Sequence, residues 1–103
     1  LKQYISGFGM NSVIDQAYAV IYTQMNKLDS ATYFYARCLP FFETSVNTAS
    51  KLSFFAQYGD YLLKKGDKIN SIAVFEQSKQ LAEATQNLEW MRYYTKMLDT
   101  SYT

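Results

Sequence analysis

Apolar residues recur along this chain at the spacing of a helix rather than a strand. Phe55, Tyr58, Gly59 and Leu62 follow i, i+3, i+4, i+7 and line one face, while Ser53, Ala56, Gln57, Asp60 and Lys64 fall on another. The spacing predicts an amphipathic helix closed by "KKGD", where Gly66 is free to turn left-handed behind lysines that suit a helix C-terminus. Asp67 or Asn70 is then placed to cap the next helix.

That second helix sets Ser71, Phe75, Ser78 and Ala82 on one side, small residues around a single ring, so two helices can approach closely. "TQN" at 85–87 ends it, and "LEWMRYYTKMLDTSY" predicts another helix. Upstream, "DQAYAVIYTQMNKLDSATYFYARCLPFFE" has the same grammar, with a polar break at 26–29 and a second helix carrying Ala31, Tyr35 and Cys38. Pro40 removes a backbone donor there and is expected to kink that helix or end it after Cys38. "GFGMNS" at 7–12 is expected to be a loop before the first helix.

One offset of 40 relates these segments. It carries Ala31 to Ser71, Ala19 to Gly59 to Asp99, Tyr18 to Tyr58 to Leu98, and Asn47 to Asn87. The fold class expected is all-α, with about five helices in antiparallel hairpins stacked as a fragment of an α-solenoid. The chain is read as one domain over residues 1–103, with units at 12–46 and 47–86 and an unpaired helix at 87–103. Repeats of this length bury their apolar faces only against their neighbours.

The spacing resembles the tetratricopeptide repeat, whose motif runs W-x2-L-G-x2-Y, then A-x3-F and a closing Pro. Phe55 stands for the first aromatic, Tyr58 and Gly59 for Leu-Gly, Leu62 for Tyr, Ser71 for Ala and Phe75 for Phe. In the first unit Tyr18, Ala19, Tyr22, Ala31, Tyr35 and Cys38 fill those places, and the last offers Leu98, Asp99 and Tyr102. Asp15 and Thr95 replace the first aromatic, Glu43 and Glu83 replace the Pro, and Asp99 stands where a small residue belongs. The period also exceeds the family's usual length of about 34 residues.

Composition narrows the functional classes. Apolar residues make up 49% and aromatics 17%, with ten Tyr and seven Phe, enough to build a core and to argue against disorder. Ten Lys or Arg against nine Asp or Glu give a net charge of +1, so the field that draws nucleic acids is missing and no direct nucleic-acid contact is expected. The longest aromatic-rich run, "ATYFYARCLPFF", is too short to span a membrane and is interrupted by Arg37 and Pro40. A lone cysteine forms no internal disulfide, which fits a reducing compartment, and the expected location is cytoplasmic. The start at Leu1 and the lack of a signal-peptide pattern lead to the expectation of an excerpt from a longer protein.

Catalytic chemistry finds little to work with. Without histidine the commonest general base and transition-metal ligand are missing, and Cys38 has no Cys-His or zinc constellation. Cys38 is read as a small packing residue matching Ser78. "GFGMNS" has Ser12 where a dinucleotide fingerprint needs its third Gly. No catalytic residue, cofactor or metal is expected. Lys64, Lys65 and Lys68 are accounted for by the helix dipole, and Trp90, Tyr93 and Tyr94 by packing between repeats.

The resemblance implies a protein–protein interaction scaffold that binds a peptide or partner domain in a concave groove built from the first helix of each pair. Carried onto this chain, the groove-facing positions are Gln16, Val20 and Thr23, then Ser53, Ala56, Asp60 and Lys64, then Tyr93, Lys96 and Thr100. "LDSATYFYARCLPFFE" and "NLEWMRYYTKMLDTSY" look like repeats of bacterial regulators and sensors, which implies the regulatory part of such a protein. The alternative is a homo-oligomerisation module, a homodimer formed through the tyrosine-rich surface of the last helix.

Overall fold

The computed structural model describes the backbone of residues 2–102 and the side chains of residues 11–102. Every element among the described residues is helical: α1 (Lys2–Gln24), α2 (Leu28–Thr44), α3 (Thr48–Lys65), α4 (Lys68–Ala84) and α5 (Leu88–Tyr102). None of these helices is long and apolar enough to cross a membrane.

The corners after α1 and α3, at Asn26 and Gly66, stand 40 residues apart, and the corner after α4 at Gln86 is built the same way. Asn26, Gly66 and Gln86 all have positive φ, at 60°, 94° and 55°. Behind them Lys27 N–H donates to Tyr22 O at 2.8 Å, Asp67 N–H to Leu62 O at 2.8 Å and Asn87 N–H to Ala82 O at 2.9 Å. Shorter bonds close inside each, from Asn26 to Thr23, Gly66 to Leu63 and Gln86 to Glu83. These are Schellman motifs, which satisfy the last helical carbonyls by one left-handed residue. The chain changes direction in the same way three times.

Starts recur as well. Asn47 accepts from Ser50 N–H at 3.1 Å and Asn87 from Trp90 N–H at 3.3 Å, so α3 and α5 carry matching caps. Asp67, rather than Asn70, caps α4, accepting from Asn70 N–H at 3.2 Å. Bonding from Asn70, side chain first and backbone second, holds the Asp67 carboxyl below its ordinary pKa.

Burial repeats with the same register. Ala31, Tyr35, Cys38 and Phe42 are buried on α2, and Ser71, Phe75, Ser78 and Ala82 on α4. The exposure pattern of residues 31–44 is reproduced position by position in residues 71–84. The fourth corner differs: Ser45 is extended at φ −66° and ψ 140°, and the chain divides there into two compact units, Leu1–Ser45 and Val46–Thr103.

In the first unit α1 and α2 pair antiparallel. Phe34 stacks on Tyr18 at 5.2 Å and on Tyr22 at 5.6 Å, and Arg37 Nε donates to Asp15 Oδ2 at 3.1 Å. Asp15 is nearly buried, so the guanidinium compensates a carboxylate that burial would otherwise penalise.

In the second unit α3 and α4 pair at their closest around Gly59. The Phe75 ring occupies the space a Cβ at Gly59 would need, and Ser71 Oγ donates to Gly59 O at 2.8 Å. α5 then lies on that hairpin. Tyr94 is wholly buried, its ring 5.9 Å from Phe75 and its hydroxyl donating to Leu52 O, in a core with Ala56, Ala82 and Leu98.

Three expectations are corrected. "GFGMNS" lies inside α1, because two glycines cost a helix only about 1 kcal/mol each and do not stop it. α2 runs through Pro40 to Thr44 instead of ending after Cys38, and Pro40 itself is exposed. The core face assigned to α3 is too narrow: Leu52, Phe54, Ala56 and Tyr61 are buried beside Gly59 and Leu62, whereas Phe55 and Tyr58 are half-buried. Rings continue along α3 from Phe54 to Tyr58 at 5.8 Å and from Tyr58 to Tyr61 at 5.8 Å.

Candidate interaction surface

The residues expected to face a partner separate by burial. Thr23 and Ala56 are buried and leave no surface to contact. Thr23 satisfies its hydroxyl within α1, donating to Ala19 O at 2.7 Å, and Ala56 belongs to the core under α5. A threonine that bonds back to the preceding turn behaves as an apolar residue toward its surroundings, and a small Ala fits where helices close up. Gln16 and Val20 are half-buried on α1.

The other six lie in the second unit. Ser53 and Asp60 are half-buried on α3, and Lys64 is exposed, one turn beyond Asp60. Lys64 Nζ lies 3.4 Å from Asp60 Oδ2, with both side chains 44% exposed, so the pair is loose and open to exchange for a ligand's charges. Tyr93 on α5 is half-buried, edge-on to Trp90 at 5.3 Å. Its phenol is pushed above the ordinary tyrosine pKa by burial and then by the charge of Asp60, which ties the α3 acid to the α5 ring. Lys96 and Thr100 are exposed on α5, on an open flank that also carries Leu88, Met91, Arg92 and Asp99.

The surface therefore combines one acid, two lysines, an aromatic edge and hydroxyls. This chemistry suits hydrogen bonding and modest charge pairing. Among the described residues no three Cys, Asp or Glu side chains gather to hold a metal. Cys38 is buried, and its thiol is pushed up to about 11, by burial first and by Asp15 second, so it stays protonated near neutral pH.

The tyrosines of the last helix do not form the open surface foreseen for self-association. Tyr94 is fully buried and Tyr93 half-buried; Tyr102 is exposed and donates to Glu76 at 2.6 Å. Exposed apolar side chains gather instead on α1, where Ile14, Tyr18, Ile21 and Met25 recur at spacings of four, three and four. That stripe has the helical period; the repeat motif places Tyr18 among core positions, whereas here it is exposed.

No known protein family, curated protein or solved structure matches the chain.

Proposed function

We propose that this chain is a tetratricopeptide-like interaction module that binds a peptide or partner domain along the polar face shared by α3 and α5. The observation that carries the reading is the 40-residue register repeated by the helices, with the half-open Asp60–Lys64 pair on α3 and the half-buried Tyr93 on α5. In such repeats the neighbours supply the core, and the first helices are left with a continuous polar row for recognition. Ser53 and Asp60 on α3 stand at the register of Tyr93 and Thr100 on α5, so an extended peptide would meet related positions at each step. The resemblance to repeats of bacterial regulators supports placing the module in the cytoplasmic regulatory part of a larger protein.

Fluorescence anisotropy with a panel of labelled short peptides of mixed charge tests this. Saturable binding is expected for some members, weakened about tenfold, or about 1.4 kcal/mol, by Asp60→Lys combined with Lys96→Glu. Binding by none of the panel, or equal binding to the double variant, would count against the reading.

A further inference from the structure

The apolar stripe on α1 has the geometry of a helix-pairing seam. Ile14, Tyr18, Ile21 and Met25 follow one another at spacings of four, three and four, the d, a, d and a places of a heptad. Each is about half open, at 46%, 48%, 47% and 53%, and Val13 beside them is 56% exposed. A stripe confined to a and d is the narrow kind that fits one neighbouring helix, whereas a helix lying on a globular core uses a wider arc. The core-facing arc of α1 is already occupied. Ser12, Asp15, Ala19 and Thr23 are buried on its other side, and Phe34 of α2 stacks on Tyr18 and Tyr22.

We infer that this face is a homodimer seam, in which α1 of a second copy lies antiparallel against α1 and each chain presents the same residues to the other. Register, area and charge together select that occupant. A two-fold axis midway between Tyr18 and Ile21 places Tyr18 on the second copy's Ile21 and Ile14 on its Met25, so each a residue meets a d residue. Opposed helix dipoles favour that direction over the parallel one.

Taking about 200 Å² for a large apolar side chain, about half of it open, Val13, Ile14, Tyr18, Ile21 and Met25 offer about 500 Å² per copy and about 1,000 Å² in the pair. That is the area at which a specific interface begins. Between Asn11 and Met25 the only charged residue is Asp15, nearly buried and held by Arg37, so no like charges meet when the face packs on itself. Ala17 and Gln24, exposed beside the stripe, add none. The α5 flank of a second copy carries Arg92, Lys96 and Asp99, which would have to give up water against a face that offers no counter-charge. A two-fold contact through α1 also uses the same patch on both chains, so it closes at two.

Sedimentation equilibrium over about 1–500 μM tests this, with a monomer–dimer equilibrium expected at a Kd of about 10 μM for an interface at the lower size limit. Tyr18→Gln combined with Ile21→Gln should weaken the dimer at least about tenfold. Asp60→Lys combined with Lys96→Glu should leave it unchanged, which separates this seam from the peptide-binding surface. Because Tyr18 and Ile21 are open in the single chain, circular dichroism should show the helix content of the glutamine variant unaltered. As a second measurement, the Tm of the unsubstituted chain should rise with its concentration. A monomer at every concentration with a constant Tm would overturn the inference and leave the face to a different protein or a preceding segment. A dimer that survives both glutamines, or one lost on the α3 and α5 changes, would overturn it as well.

Discussion

Ser71 Oγ donates to the carbonyl of Gly59 at 2.8 Å, tying the first turn of α4 to the last turns of α3 where the two helices are closest. The contact requires two small residues and one ring: Phe75 fills the space over Gly59, and neither Ser71 nor Phe75 has any exposed surface. Ser71→Leu should therefore overfill the contact and cost about 1–3 kcal/mol. Ser53→Leu, on the half-buried polar side of α3, should change stability by less than about 0.5 kcal/mol. Gly59→Ala belongs with the first, since its methyl would collide with the buried Phe75 ring. Urea unfolding of the three variants checks the ordering, and equal midpoints for the two leucine variants would show the faces to be misassigned.

Gly66 closes α3 at φ 94°, and Asn26 holds the same place behind α1 at φ 60°. Gly66→Ala should cost about 1 kcal/mol, because a Cβ is disfavoured in the left-handed region. Gly66→Asn should cost less than half as much, asparagine being the residue the chain itself uses at that corner. Denaturant midpoints measure both, and no steric contact competes, since nothing lies within 4 Å of a Cβ placed there.

Burial pushes the Tyr94 phenol well above its ordinary pKa, and that of Tyr93 is raised as well. A raised folded-state pKa means that the folded chain keeps its proton after the unfolded chain, with a pKa of about 10, has lost it. The stabilisation is complete below about pH 10 and is lost as pH rises from there through the folded values. Tm should be level up to about pH 8, fall gently as the thiol of the unfolded chain ionises while buried Cys38 does not, and fall more steeply above about pH 10, where Tyr94→Phe should flatten the fall. Trp90 lies 5.7 Å from Tyr94, so its emission reports the loss of α5 directly.

The buried Cys38 thiol, with a pKa of about 11, should react slowly with a disulfide reagent at pH 8 and at the rate of a free thiol once urea unfolds the chain. Cys38→Ser should be tolerated within about 1 kcal/mol, because Ser78 stands at the same buried position of α4. Fast labelling of the native chain would contradict the packing described for α2.

The register was the most legible feature, because the residues that write it are local. Gly66 and Asn26 at left-handed corners and Asn47 and Asn87 at caps each act through their own turn of backbone. What was less legible depends on neighbours. α3 is buried around most of its circumference, so periodicity marked one apolar face where the fold uses several, and Phe54 and Tyr61 were passed over. Thr23 and Ala56 read as surface from their polarity and size, whereas an intrahelical hydroxyl bond hides one and the contact with α5 hides the other. Asp60, Lys64, Tyr93, Lys96 and Thr100 were placed by the resemblance to a repeat motif; the influence of the Asp60 charge on Tyr93 depends on how α5 packs on the α3–α4 hairpin.

The claim beneath all of this is that the core of the α3–α4 hairpin is completed by α5, the helix that follows it. Ending the chain at Asn87 tests it most directly, by removing Trp90, Tyr94 and Leu98 from the face formed by Leu52, Ala56, Phe75 and Ala82. Each large side chain buried there contributes about 1.5–3 kcal/mol. Calorimetry of the shortened chain should show Tm lowered by about 10 °C or more, with loss of protected amides in α3 and α4. An unchanged Tm with those amides still protected would mean that the hairpin stands alone and that the 40-residue pattern is not a stacking repeat.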